Sequence, residues 1–594
     1  MEEEIRAEFE GSGFPIGGDS AQILSTLLTY CVNYKMSPAD LVSNWEVYYL
    51  NRLLSNTHTD EEGLLGTPST KQEKPHGESS NSELTPLTTE RPSSIRAAKT
   101  NGDRITPFAQ RVNKFTQHYV LNADNVASLP SKDEVETSED ELIRRIPPSQ
   151  KCTLQVQRSK PEPGCRFMYD RMEDRLLIRL SFQFNYLEDR IGRSARLFSA
   201  TGLYGQPADA TLASEENMFA VGMVICDGEG RLNEKSILLQ GRLTKGSTFS
   251  SVEHSRGQRV RLDLKDINQF SLFSGQVVGI EGHNPSGHCF VASKLIDSIP
   301  VSVDDQLPCA KKQAVDHEGH QNSNTLSRVL SSVIAAGPFT TTDNLLFEPL
   351  QELLSYACRK QPQLLILMGP FIDSDHPEIK KGTSDQSFHD IFHFEILRKL
   401  QDFTQYLGHN VRVILVPSVR DAHHDAVFPQ PAFDSHLPED ITQQITCLSN
   451  PSLFSSNEIQ FGCCTVDILK QLSGDEISRK PPGGKAADRI GRLATHISTS
   501  YSYYPLYPPA AGVPMDFSLA KEALEIPSAP DVLLLPSDLA PSVKVLSVNE
   551  DTEEHKRFIC VNPGRLSKGI GGGTFVELYY NEDTEKTKAF IMRI

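Results

Sequence analysis

The spacing of apolar residues changes character several times along the chain, and each change marks a different kind of element. Near the N-terminus, Leu24, Leu27, Leu28 and Cys31 recur at helical spacing. Ser37-Pro38 reads as an N-cap and first helical position, followed by Leu41, Trp45 and Tyr48 on one stripe. Residues 1–55 are therefore predicted to be a small helical domain, with that stripe as its core. From 56 to 160 Ser, Thr, Pro, Glu and Lys dominate and the periodicity is lost, which predicts a disordered linker. Residues 165–200 regain a helical stripe through Tyr169, Met172, Leu176, Leu177 and Leu180. Five short β-type runs follow: 219–226, 236–240, 259–264, 277–282 and 289–294. Asp227-Gly228, Ser255-Arg256-Gly257 and Asn284-Pro285-Ser286-Gly287 separate them. Five strands in so short a stretch predict a small barrel of the OB type within 165–300.

Beyond a polar stretch at 300–325, strands alternate with helices. Strands are expected at 329–336, 364–368, 411–416, 459–463, 532–535, 558–561, 574–580 and 589–594. Helices are expected after Pro349, with Leu350, Leu353, Leu354 and Ala357 on one face, and over 388–406. Apolar runs of this kind belong to strands covered on both faces, so 325–594 reads as an α/β sandwich. The fold class is α+β multidomain.

Composition narrows the function. The 594 residues exceed one ordinary core. A net charge of −18 opposes a phosphate backbone, so any contact with DNA is expected to be weak or indirect. The eleven cysteines include no C-x-x-C pair, and Cys463 and Cys464 are adjacent, which suits reduced, mostly buried thiols. Met1 to Glu10 carries five glutamates, unlike a signal or transit peptide, and apolar runs such as 364–368 are too short to span a membrane. The expectation is a soluble intracellular protein with no membrane partner. Thr67, Thr85 and Thr106 each precede proline in the linker and are candidate phosphorylation sites for a proline-directed kinase.

In an α/β domain, chemistry sits on the loops that follow the strands. Here they read Gly337-Pro338-Phe339-Thr340, Gly369-Pro370-Phe371-Ile372-Asp373, Pro417-Ser418-Val419-Arg420-Asp421-Ala422-His423-His424 and Asn562-Pro563-Gly564-Arg565. Their order resembles the calcineurin-like metallophosphoesterases, whose loops carry Asp-x-His, Gly-Asp-x-x-Asp, Gly-Asn-His-Asp/Glu and Gly-His-x-His. In that family two metals share a bridging carboxylate and activate a water. The frame of this chain matches the resemblance, and its donors do not. The first loop has neither Asp nor His beside Gly337. After Gly369, Pro370 stands at the bridging carboxylate. Val419 and Arg420 stand at Asn and His. Asp373 and Asp421 match, and Asn562 to Arg565 offers no imidazole. No metal, cofactor or catalytic residue is therefore expected.

Longer segments narrow the resemblance. Ala336 to Asp343, Leu415 to His424 with Phe428-Pro-Gln-Pro431, Ser502 to Pro509, Cys560 to Gly569 and Phe273 to Val278 are similar to signature stretches of the B subunits of DNA polymerase alpha–primase. The likeness covers about 160–594 and implies an OB domain joined to an inactive phosphoesterase domain. It implies a non-catalytic, regulatory role in the nucleus, in DNA replication. The implied partners are the zinc-binding C-terminal domain of the catalytic polymerase subunit and, within the complex, the small and large primase subunits.

Other readings of single motifs are weaker. His389 and His393 mimic a zinc helix but lack its Glu and a third ligand. His423 and His424 are adjacent and point apart on extended chain. Lys568 precedes the glycines of 569–573, the reverse of a P-loop, so a tight turn is expected. A single-strand-binding barrel wants exposed aromatics and a basic groove. Phe219, Phe270, Phe273 and Phe290 are available, but 219–294 holds nine Lys or Arg against seven Asp or Glu, which favours a protein-binding barrel. Tyr501 to Pro509 is either a loop packed on the sheet or a docking surface for a partner.

Overall fold

The computed structural model describes residues 2–11, 28, 38, 42, 107–111, 114–122, 153–158, 172–228, 230–241, 259–298, 329–434, 444–480, 488–548 and 556–594. The chain divides into two compact units, 1–101 and 102–594. In the first, a helix runs over Glu2–Gly11 and buries Ile5 and Phe9, one helical turn apart. The glutamate-rich start thus hides a two-residue apolar stripe that the charge run masked. Leu28, Pro38 and Val42 are helical, while Leu24, Leu27, Cys31, Leu41, Trp45 and Tyr48 lie outside the described residues. So do Thr67, Thr85 and Thr106.

The second unit begins with two strands inside the segment expected to be a linker, β1 (Gln117–Asn122) and β2 (Leu154–Arg158). That expectation is corrected for these stretches. Each is an edge strand, and most of its described side chains are exposed, so its backbone pairing leaves little apolar signal. The Met172–Ala200 helix follows and turns Tyr186, Leu187 and Ile191 inward; the side chains of its first nine residues are not described.

The predicted barrel is present as a closed ring, ordered β3-β4-β5-β8-β7. Its strands are β3 (Ser214–Cys226), β4 (Ile237–Gly241), β5 (Arg259–Asp263), β7 (Val277–Asn284) and β8 (Cys289–Ile296). Val224, Leu239, Leu262, Ile280 and Phe290 fill it. An unforeseen strand, β6 (Phe270–Leu272), leaves the ring and pairs with β15 (Ile477–Arg479) from the C-terminal region.

That region is a two-sheet sandwich. One sheet contains β9 (Val329–Ala336), β10 (Leu364–Met368), β11 (Arg412–Val416), β12 (Ile445–Cys447), β21 (Thr574–Asn581) and β22 (Asp583–Arg593). Its order is β1-β22-β21-β9-β10-β11-β12. The other contains β13 (Ser452–Ser456), β14 (Ile459–Cys463), β16 (Val532–Leu534), β17 (Ser542–Val548) and β18 (Lys556–Asn562), in the order β17-β18-β16-β14-β13-β2. Two small strands, β19 (Ser567–Lys568) and β20 (Gly571–Gly572), form a hairpin between them.

The continuous apolar runs are explained by alternation between two cores. In β10, Leu364, Ile366 and Met368 face the second sheet, while Leu365 and Leu367 face helices. The helices Glu348–Lys360 and Arg398–Leu407 cover the first sheet. The helices Ile468–Asp475, Arg489–Thr499 and Phe517–Ala523 cover the second, together with Tyr186, Leu187 and Ile191 of the Met172–Ala200 helix. The helix expected over 388–406 is there, interrupted by a π-turn at Phe392–Leu397.

Candidate functional site

All four loops singled out from the sequence leave the C-terminal ends of β9, β10, β11 and β18. The first two begin with an N–H donated to the neighbouring strand: Gly337 to the Met368 carbonyl and Gly369 to the Val416 carbonyl, both at 2.8 Å. Both Gly-Pro bonds are cis. Phe339 and Phe371 then stack at 5.0 Å inside the helix-covered core, which pulls the loops down onto the sheet.

The glycines are required by close approach. A Cβ on Gly337 would sit 1.9 Å from the Pro370 carbonyl oxygen, and one on Gly369 would sit 2.4 Å from Asp421 Oδ2. Asp421 is buried, and its carboxylate fastens two loops at once. Oδ1 accepts from the Phe371 and Ile372 N–H groups, and Oδ2 accepts from the Ser418 N–H at 2.8 Å. Burial pushes its pKa up to about 7, against the pull of those three donors. Its role in this structure is architectural: it ties the second loop to the third.

Two of these loops carry an arginine held in ion pairs. Arg420 donates to Asp373 through Nε at 3.0 Å and through its terminal nitrogen, and its Nε lies 3.2 Å from Asp375. Val419 packs against the core beneath the second sheet. In the last loop, Asn562 Oδ1 accepts from the Ser537 and Gly564 N–H groups at 2.9 Å, and its amide donates to the Ala540 carbonyl at 3.2 Å. Arg565 lies 2.9 Å from Asp538 and 3.4 Å from Asp467, and Lys470 adds a contact to Asp538 at 2.7 Å. Burial would raise the Asp538 carboxyl, but Lys470 and Arg565 hold it at about 2. Two guanidinium groups therefore each hold a pair of carboxylates at this end of the sandwich, Arg420 with Asp373 and Asp375 and Arg565 with Asp467 and Asp538. A dimetal centre needs a bridging carboxylate and imidazole donors; proline, valine and arginine at those places do not fit one.

The remaining candidates fall elsewhere. His389 and His393 are exposed, with His393 inside the π-turn. His423 packs in a three-ring cluster, 4.1 Å from Phe392 and 5.1 Å from Phe433, which also touch each other at 4.8 Å. Its buried ring nitrogens have no hydrogen-bond partner, and burial lowers its pKa to about 3. His424 Nε2 instead lies 2.9 Å from the Pro431 carbonyl. Among the described residues, no three His, Cys, Asp or Glu side chains converge as metal ligands. The glycine run opens the β19–β20 hairpin, with Gly569 at φ +61°. Phe219, Phe270, Phe273 and Phe290 are all buried, so none offers a free stacking face. Cys463, Cys464 and Cys560 are buried, and burial lifts the thiols of the latter two to about 12.

The Tyr-Pro stretch resolves to packed loop. Tyr503 and Tyr504 are buried, and Tyr504 donates to Gln471 at 2.7 Å. Tyr507 meets Ser274 of the barrel twice: its carbonyl accepts from the Ser274 hydroxyl at 2.7 Å, and its N–H donates to the Ser274 carbonyl at 3.0 Å. Arg190 ties the same joint, donating to the carbonyls of Gly275 and Pro505 at 2.8 and 3.0 Å.

Sequence reasoning missed the most buried charge in this joint. Glu476, whose side chain is only 3% exposed, receives Arg492 in a two-pronged pair at 2.7 and 2.8 Å, His496 at 3.0 Å and the Ser271 hydroxyl from β6. Burial opposes its charge, yet these donors hold its carboxyl well below the usual range. Its partners lie 16, 20 and 205 positions away in the chain, so no local pattern announces them.

Comparison with known proteins matches this architecture in two blocks. Residues 187–298 match the family model for the OB domain of the DNA polymerase alpha B subunit, and 332–544 match that for the B subunit of DNA polymerase alpha/epsilon. The DNA polymerase alpha B subunit of Mus musculus is 35% identical over 367 residues, covering 62% of this chain and 55% of the relative. The Rattus norvegicus protein of the same name is 34% identical over 63% of this chain and 56% of its own. These matches span only about half the length of the rodent relatives. The Schizosaccharomyces pombe protein is 32% identical over 432 residues, covering 70% of this chain and 67% of the relative. With both blocks matched in order and the fission-yeast relative covered across two thirds of its length, the chain belongs to the family of DNA polymerase alpha B subunits.

Proposed function

We propose that this chain is the non-catalytic accessory subunit of a nuclear DNA polymerase alpha–primase, holding polymerase and primase together during primer synthesis. The observation that carries the reading is the arginine-filled loop cluster. Arg420 with Asp373 and Arg565 with Asp467 and Asp538 occupy the end of the sandwich where a related phosphoesterase keeps metals. The sandwich is read as a calcineurin-like fold whose site has become structural. On this reading the boundaries are a helical domain at 1–55, a linker at 56–160, a helix with OB barrel at 165–300 and the phosphoesterase-like domain at 325–594. Thr67, Thr85 and Thr106 are proposed linker phosphorylation sites.

The partner is the zinc-binding C-terminal domain of the catalytic subunit, with primase small and large subunits joined through the complex. DNA contact is indirect, in keeping with the −18 charge. Co-expression of this chain with that C-terminal domain should yield a stable pair on size exclusion, without phosphoesterase activity when manganese or zinc is added. Separate elution of the two chains, or metal-dependent hydrolysis abolished by Asp421→Ala, contradicts the proposal.

A further inference from the structure

The segment around β1 contributes little to the core and yet is held at many points. Among its described side chains only Phe108 and Leu121 are buried. Phe108 enters the core that contains Leu566, Phe575 and Ile594, and its N–H donates to the Ile570 carbonyl at 2.8 Å. The Arg111 guanidinium lies 3.2 Å over the Phe108 ring and pairs with Glu352, which also receives Lys114 at 2.9 Å. Phe115 stacks on Tyr356 at 4.6 Å, beneath Arg359, and its N–H donates to the Arg593 carbonyl. From Tyr119 onward the backbone follows β22 in antiparallel register, Tyr119 to Ile591 and Leu121 to Ala589.

The strand that receives the segment is already paired on its other side. β22 is paired along its other side with β21, from Thr574–Arg593 to Tyr579–Lys588. Tyr356 and Glu352 belong to the Glu348–Lys360 helix, which packs on the same sheet. The result is a groove with a strand edge on one wall and a helix with an acid and an aromatic on the other. This is the geometry by which sheets take up extended peptides: main-chain pairing supplies affinity, and side-chain contacts supply selectivity.

We propose that residues 107–122 are a cis-acting peptide ligand, a clasp seated in a strand-accepting groove between β22 and the Glu348–Lys360 helix. Phe108, Arg111 and Phe115 are its anchors, and the occupant of the groove is this chain's own segment, separable from the body.

The test uses the full chain with 107–122 replaced by an equal length of Gly and Ser, and a fluorescent synthetic peptide of residues 105–123. Anisotropy should show saturable binding to the replaced chain, and at least about tenfold weaker binding to the intact chain, whose groove is filled. Phe108→Ala in the peptide should weaken binding by about tenfold or more, as loss of a buried aromatic anchor does. A Glu352→Arg replaced chain should bind the original peptide more weakly and an Arg111→Glu peptide better. Equal binding by intact and replaced chains, no saturable binding, or a replaced chain without a cooperative unfolding transition each overturns the proposal, the last because the segment would be an integral part of the core.

Discussion

At the scale of single residues, the loop cluster is governed by steric contact and buried charge. Gly337→Ala forces a Cβ against the backbone carbonyl of Pro370, and Gly369→Ala forces one against a side-chain oxygen. Overpacking of this kind costs about 1–3 kcal/mol. Urea unfolding should place both variants toward the top of that range, because the Gly337 Cβ meets backbone and the Gly369 Cβ meets a carboxylate pinned by three N–H donors as well as the Ser418 backbone nitrogen at 2.9 Å. Asp421 makes a pH prediction. Its folded pKa is about 7 against an ordinary 3.8, so between those values the unfolded chain binds fewer protons than the folded one. Its contribution therefore falls as pH rises from about 4 to about 7 and is flat above. Subtracting the urea-derived stability of Asp421→Asn from that of the unchanged chain at pH 5 and at pH 7.5 should expose this slope. The variant should be less stable overall, since an amide nitrogen cannot accept from Ser418. The identity of every loop residue was readable in the sequence. The partners of Arg565 were not, because Asp467 and Asp538 come from loops far away in the chain.

At the scale of elements, the decisive contact is between the barrel and the sandwich. β6 leaves the ring to pair with β15, and Glu476 gathers Arg492, His496 and Ser271 beside that pairing. Removing the charge from a buried pair while leaving its partner costs about 3–5 kcal/mol. Glu476→Gln should lower stability by that order, and hydrogen exchange should quicken at Phe270–Leu272 before it does so in the ring itself. The Glu476 carboxyl is depressed in the folded chain, so its contribution is complete above the ordinary carboxylate range and fades on acidification; the variant should lack that acid-side loss. Elements with a strong period were legible: the five ring strands and β10 lie where the apolar pattern puts them. Elements stabilised by edge pairing were not. β1, β2 and β6 are short or largely exposed, and β13 reads Ser-Leu-Phe-Ser-Ser, a sequence whose strand character comes from neighbours on both sides.

At the scale of the second unit, barrel and sandwich share backbone pairing, the Glu476 cluster and the Arg190–Tyr507 joint. Such coupling makes separate melting expensive. Scanning calorimetry of the intact chain should show one transition for both, and Glu476→Gln should split or broaden it. Two resolved transitions in the unchanged chain would mean that the joint is weaker than its hydrogen bonds suggest. Topology of this kind was only partly legible. Strand and helix alternation announced a sandwich, but nothing local pairs residue 117 with residue 592.

That last pairing has a consequence in time. The ribosome delivers β1 long before β22, so β1 waits through most of synthesis for a partner. β2 waits likewise for β13, and closing such distant contacts is slow. The sheet edges are sealed late, and the first sheet is sealed only once Asp583–Arg593 has been made. A chain halted before Asp583 should leave 107–122 open to protease while the barrel, whose strands are all made by residue 296, already resists it. Maturation of this protein is then set by β22, and nonsense changes just ahead of that strand should act as strongly as those in the middle of the chain.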